Sequence, residues 1–252
     1  MNLKTPQEID KIAESGKILA RVMRDVVLKA KEGVLLSELD RLTERLILKA
    51  GARPAFLNYK PDGATHSYQA SICASVNEVI VHGFPTHYKL KSGDVLKLDF
   101  GVNYRGFYSD AASTVLIGKT SAIAKELAKS AKEALNIAIK KARPGKTLGD
   151  IGFEIEKCAK KYGFKPVRGL TGHGIGFKLH EGPIVHNYGE KGRGLKLLSG
   201  MVLAIEPMFS AGSDEVIQLP DESWATKDKS LTAHFEHTIA ITNKGARVLT
   251  KI

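Results

Sequence analysis

Apolar residues recur at helical spacing in four stretches and at strand spacing in several shorter ones, and this alternation predicts the order of elements. Thr5-Pro6-Gln7-Glu8 has the marks of a helix start, with a hydroxyl three residues before an acid and proline in the first turn. Ile9, Ile12, Ala13, Leu19, Ala20, Met23 and Val27 then share one face, and Gly33 is the expected stop. Ser37 is expected to open a second helix presenting Leu39, Leu42, Leu46 and Ile47 before Gly51. The pattern lapses between Ala52 and Gln69 into Pro54, Asn58, Pro61, Asp62 and Gly63, which reads as a surface loop of a length that is often functional. Strand-like runs follow at Ala70 to Val76 and Val79 to Val81, ending at His82-Gly83. From Leu96 to Asp110 two apolar runs flank a glycine-containing turn at Asn103 to Gly106, which predicts a hairpin. Ser121 starts another long amphipathic helix that breaks at Pro144-Gly145, and Thr147 caps a fourth that runs out near Gly163.

The pattern repeats. Ser92-Gly93-Asp94-Val95-Leu96-Lys97-Leu98-Asp99 aligns with Ser199-Gly200-Met201-Val202-Leu203-Ala204-Ile205-Glu206, so Asp99 corresponds to Glu206. Asp110, before Ala111-Ala112-Ser113-Thr114-Val115, corresponds to Glu236, before His237-Thr238-Ile239-Ala240-Ile241. Self-similarity of this kind predicts two related halves, about residues 1–120 and 121–252, with equivalent strands converging on a shared axis. Four acids would then meet. Isolated carboxylates are costly to bury, so such a set must share protons, meet cations or bind metal.

Composition narrows the setting. The 252 residues, 43% hydrophobic and 26% charged, read as a globular protein with ample material for a core. We expect a single catalytic domain over 1–252. With no apolar run of membrane-spanning length and no signal-like segment after Met1, the expectation is a soluble, cytoplasmic protein with no membrane partner. Cys73 and Cys158 are too few and too far apart to suggest a disulfide framework or a zinc-finger set. The formal charge of +11 favours acidic partners. Much of it falls at helical spacing, in Lys125, Lys129, Lys132, Lys140, Lys141, Arg143 and Lys146, then Lys157, Lys160 and Lys161, a solvated helix face or a contact with RNA such as a ribosome. No motif points to specific DNA recognition.

Chemistry enters with the histidines. Thr171-Gly172-His173-Gly174-Ile175-Gly176 brackets His173 with glycines that permit close backbone approach, without the strand-turn-helix order of a dinucleotide site. His180-Glu181-Gly182-Pro183 follows, and His82 ends an apolar strand. No G-x-S-x-G is present for a serine nucleophile, and a glycosidase pair gives no reason for four acids beside an imidazole. Four carboxylates with one imidazole suit two adjacent divalent ions, since hard oxygen donors favour such metals and shared acids offset the charge of both.

Asp99, Asp110, His173, Glu206 and Glu236 in that order, with His82 and His180, resemble type I methionine aminopeptidase of the pita-bread fold. The resemblance runs from Lys4-Thr5-Pro6 through Asn77-Glu78-Val79-Ile80-Val81-His82-Gly83 to Phe235-Glu236-His237-Thr238. It implies an α+β architecture in which a pseudo-twofold antiparallel sheet is covered by helices. It also implies a dinuclear hydrolase that removes the initiator methionine from nascent chains when the second residue is small. Asp110 and Glu236 would be shared by two divalent ions, with Co, Mn, Fe and Zn all compatible, while Asp99 completes one site and His173 with Glu206 the other. The ions would activate a water, with Glu206 as proton shuttle, His180 contacting the carbonyl oxygen and His82 positioning the amide. Tyr68, Cys73 and Trp224 would line the methionine pocket, and Tyr59 is a further candidate. Nascent polypeptide N-termini are the implied partners, and we expect a monomer.

The sequence also departs from the family pattern. Leu179 stands before His180 where an aromatic is frequent, His234 replaces a common Gln, and Asp62 to Ser67 looks lengthened. Strand alternation would point His234 to the side of Glu236. His66 and His87 read as surface residues. A proline-directed aminopeptidase or dipeptidase of the same fold, or a non-catalytic relative that binds protein or RNA, are the alternatives. The first usually carries a large additional N-terminal domain, and the second would be marked by lost ligands.

Overall fold

A computed structural model describes residues 2–60 and 63–251. Four helices carry the predicted amphipathic faces: α1 (Pro6–Val27), α2 (Leu36–Lys49), α3 (Ala122–Lys141) and α4 (Leu148–Lys161). Thr5 caps α1 as expected, with Glu8 Oε2 accepting from the Thr5 amide at 2.8 Å. Thr147 and Asp150 reproduce the arrangement on α4.

The ends of the first two helices differ from expectation for one reason. Helix α1 stops at Val27 rather than Gly33, and α2 starts at Leu36 without a cap from Ser37. Between them the chain runs beside residues 86–90, where Gly33 N–H donates to Leu90 O at 2.8 Å, Leu36 N–H to Tyr88 O and Ser37 N–H to Thr86 O. Tertiary backbone pairing therefore fixes this corner, and Glu38 reaches back to the Leu35 amide at 3.0 Å in place of a hydroxyl cap.

Helices α1 and α2 pack on an antiparallel sheet of Arg53–Pro54, Val95–Tyr104, Ile72–Val76 and Phe107–Leu116. Leu19, Val26, Leu39, Ile47, Leu96, Leu98 and Phe100 fill the space between them. Helices α3 and α4 cover a five-stranded sheet ordered Gly245–Val248, His237–Thr242, Val202–Ile205, Thr171–Gly174 and Glu181–His186, with Leu127, Ile151, Ile155, Leu203, Ile239 and Ile241 between. Each arrangement buries the apolar stripe of two helices on one sheet face.

The predicted hairpin forms, with Tyr104 opposite Phe107 across a two-residue turn at Arg105-Gly106, one residue beyond the expected centre. Both turn residues have positive φ, 55° and 85°, which suits a primed turn, and Asn103 Oδ1 accepts from the Gly106 amide at 3.0 Å. Asp99 pairs with Ala112 and Asp110 with Gly101, so the two acids are diagonal neighbours on one sheet face. In the five-stranded sheet His237 pairs with Ile205, while Met208 pairs with His234 in a separate three-stranded sheet. Glu206 and Glu236 sit between these registered stretches, where Pro207 lacks the amide needed to continue the ladder.

The two sheets meet along the strands that carry the acids. Asp110 N–H donates to Thr238 Oγ1 at 2.9 Å, Thr238 Oγ1 donates back to Asp110 O at 2.7 Å, and Glu236 N–H donates to Ala112 O at 3.0 Å. Thr114 and His234 make a second reciprocal pair. Pro61 and Asp62 lie outside the described residues, and with them the start of the lengthened segment. Among the described residues, no helix is long and apolar enough to cross a membrane.

Candidate metal centre

The four acids and His173 converge. Asp99, Asp110 and Glu236 offer ligand atoms mutually within 4.8 Å, as do His173, Glu206 and Glu236, and as do Asp110, His173 and His180. Glu236 belongs to two of these groups, and Asp110 joins the Asp99 side to the histidine side.

His173 Nδ1 lies 2.9 Å from Gly174 O, and a carbonyl can only accept, so the imidazole proton resides on Nδ1. Its Nε2, the atom that carries the lone pair in the neutral ring, faces Glu206 Oε1 at 3.5 Å and Asp110 Oδ2 at 3.9 Å. A lone pair facing carboxylate oxygens calls for a proton or a metal ion between them.

The buried acids show the same need. Asp99 Oδ1, Asp110 Oδ1 and Glu236 Oε1 are buried without a hydrogen-bond partner. Burial pushes the Asp99 carboxyl up to about 6 and that of Glu206 up to about 7. Burial, reinforced by the neighbouring carboxylates, drives Asp110 and Glu236 well above the usual carboxylate range. A divalent ion would satisfy the orphaned oxygens and relieve the repulsion at once, so the residues fit a metal site.

This cluster forms the floor of a cavity of about 780 Å³. Tyr68, Cys73, Val81, Phe84, Leu179 and Trp224 contribute to its walls. Cys73 pairs with Asp99 across adjacent strands, Trp224 pairs with Val81, and Tyr68 Oη donates to Ile72 O at 2.8 Å and Gly83 O at 2.9 Å. Leu179 supplies an aliphatic wall, 2% exposed.

His82 and His180 both open onto the cavity, and the surrounding protein pushes each imidazole toward its neutral form. His180 meets His173 edge to face with centroids 4.3 Å apart, and its Nδ1 lies 2.7 Å from Tyr59 Oη. His66 is exposed, as expected, yet it also lines the cavity mouth, 3.8 Å from Glu222. His87 is exposed.

Phe84 and Met208 line the cavity but were not among the residues expected there. Each lies two positions from a site residue, but strand alternation does not reach them: His82, with φ of 60°, and Phe84 lie past the end of their strand, and Glu206 lies between two strands. Thr238, which holds the Asp110 backbone, lies on the strand His237–Thr242 that begins just after Glu236.

Residues 10–243 match metallopeptidase family M24. The chain belongs to this family. Over 100% of the chain and 99% of the relative, it is 44% identical to a methionine aminopeptidase of Aquifex aeolicus. The crystal structure of the Thermotoga maritima methionine aminopeptidase superposes with a TM-score of 0.96 at 40% identity, covering 100% of both chains. A prolidase from Pyrococcus horikoshii shares the architecture at a TM-score of 0.79 and 25% identity, with 99% of this chain covering 63% of the prolidase. The α+β pita-bread expectation holds, and a metallopeptidase family implies a divalent metal cofactor.

Proposed function

We infer that the protein is a methionine aminopeptidase that hydrolyses the first peptide bond of nascent proteins when the second residue is small. The observation that carries this reading is a set of orphaned carboxylate oxygens beside the His173 imidazole at the floor of an apolar-walled cavity, in a chain that matches methionine aminopeptidases along its whole length. We treat residues 1–252 as one catalytic domain. The match to the aminopeptidases over full length, against partial coverage of the prolidase, favours this reading over a proline-directed enzyme.

Two divalent ions would be held by the five side chains, with Asp110 and Glu236 shared, Asp99 on one side and His173 with Glu206 on the other; when bound, they supply Lewis-acid activation of water and of the scissile carbonyl. The chain's own groups do the rest. Glu206 takes the proton of the attacking water and delivers it to the leaving amine. If Tyr59 donates its hydroxyl proton to His180 Nδ1, the His180 proton sits on Nε2, ready to donate to the carbonyl oxygen as negative charge develops. His82 orients the amide, and Tyr68, Cys73 and Trp224 enclose the unbranched methionine side chain. A free amine would be held at the metal end of the cavity, so an unblocked chain terminus would be needed. Oxygen-rich ligation tolerates Co, Mn, Fe and Zn alike.

The deciding experiment is cleavage of Met-Ala-Ser against Met-Leu-Ser. We expect the first to be cleaved at least about 100-fold faster in kcat/KM, and activity to vanish with a chelator and return with divalent metal. Equal rates, or indifference to chelation, would contradict the assignment. Tyr59→Phe removes the hydroxyl that fixes His180 and should lower kcat about tenfold with KM for Met-Ala-Ser nearly unchanged, because the lost interaction forms with the developing charge.

Helices α3 and α4 display Lys125, Lys129, Lys132, Lys140 and Lys157 to solvent, while Lys141, Lys160 and Lys161 pair with Glu154, Glu156 and Glu133. Lys132 also lies over the Phe235 ring, and this solvent-facing basic surface supports electrostatic contact with ribosomes, where nascent N-termini emerge.

A further inference from the structure

His234 is 1% exposed, and neither of its ring nitrogens has a hydrogen-bond partner. Its Nε2 lies 3.4 Å from Glu206 Oε2 and 4.0 Å from Glu236 Oε2. Glu206 is therefore flanked by two imidazoles, His173 facing Oε1 at 3.5 Å and His234 facing Oε2. The two rings are not equivalent. The His173 proton is held on Nδ1 by Gly174 O, leaving a lone pair toward the cluster. His234 has no such claim on Nδ1, and a bare Nε2 against two carboxylates would be repulsive, whereas a proton there gives those oxygens a donor.

Position separates their roles further. His173 lines the cavity and belongs to two of the converging ligand groups, while His234 lies behind the acids, outside the cavity wall and outside every such group. Its backbone cannot drift, because its amide donates to Thr114 Oγ1 at 2.9 Å, its carbonyl accepts from Thr114 Oγ1 at 2.7 Å, and it pairs with Met208 across strands.

We propose that His234 is a positioning residue: its Nε2–H donates to Glu206 Oε2, so that Glu206 presents Oε1 toward His173 and the metal centre. The 3.4 Å separation exceeds hydrogen-bond length by a few tenths of an ångström, a gap that a small rotation of the Glu206 carboxylate closes. Groups that orient ligating side chains from outside commonly set metal affinity by 10–100-fold. The proposal rests on the metal reading of the site above.

Three proteins test it: the unaltered chain, His234→Gln, which keeps an amide donor, and His234→Leu, which keeps bulk without one. Divalent-metal dissociation constants measured by calorimetry should rise about 10–100-fold for His234→Leu and stay within a few-fold for His234→Gln. KM for Met-Ala-Ser should be little changed in either. Nitrogen-15 NMR of the unaltered, metal-loaded protein should show His234 protonated on Nε2, a readout that holds even if His234→Leu fails to fold. A His234 Nε2 without its proton, or His234→Leu binding metal as tightly as the unaltered chain, would overturn the proposal while leaving the metalloenzyme reading intact. An unaltered protein that takes up no divalent ion would sink both.

Discussion

Asp110→Asn is expected to lower kcat/KM for Met-Ala-Ser on the order of 10³-fold and, at the same time, to make the metal-free protein harder to unfold at pH 7.5. The two effects share one cause. Asp110 is 3% exposed, its Oδ1 has no partner, and it joins the Asp99 side of the cluster to the histidine side. An amide of the same shape removes a charge that a shared cation requires. Without metal the carboxyl must take up a proton that it does not hold in the unfolded chain at this pH, because burial and the neighbouring Asp99 carboxylate drive it well above its ordinary range, and an amide is spared that cost. Relief of about 1 kcal/mol in a protein of this size would appear as a rise of roughly 2–4 °C in Tm of the chelated protein. The backbone should be undisturbed, since Thr238 holds it through main-chain atoms. A parallel loss of activity and of metal-free stability would point instead to a packing defect.

Metal affinity should weaken steeply as pH falls through 7 toward 5. With Asp99 pushed up to about 6 and Glu206 to about 7, and with Asp110 and Glu236 well above the carboxylate range, the metal-free centre retains protons near neutrality. A cation must displace them, so the dissociation constant grows by about tenfold per pH unit for each proton displaced. Calorimetric titration with Mn at pH 6.5 in two buffers of different ionisation heat should reveal net proton release, whereas none would contradict the coupling. Unfolding is a less direct readout because two sets of groups oppose each other. The acids, raised in the fold, stabilise the metal-free chain below about pH 4 and lose that contribution as pH rises through their folded values. The imidazoles lowered in the fold, His234 at about 4 among them, act in the opposite sense, lending stability at neutral pH that is lost on acidification from about 6.5.

Much of the site was legible because strands alternate. The repeated S-G-x-V-L-x-apolar-acid pattern placed Asp99 and Glu206 equivalently, and the hairpin put Asp99 and Asp110 on one face. Capping boxes at Thr5 and Thr147 were equally readable, since their partners lie within one turn. What the sequence hid depends on distant partners. Gly33 and Ser37 looked like helix punctuation, but backbone pairing with residues 86–90 decides that corner. Tyr59 and His180 meet across 121 positions through a loop without periodicity. The tautomers of His173 and His234, on which their different roles turn, depend on a carbonyl in one case and on carboxylates of other strands in the second.

The central claim is that Asp99, Asp110, His173, Glu206 and Glu236 jointly hold divalent metal. Its most direct test is an anomalous difference map from crystals soaked in manganese. Two peaks should appear among these five side chains, with Asp110 and Glu236 in contact with both. A map with no peak there, and manganese bound elsewhere or nowhere, would contradict the account.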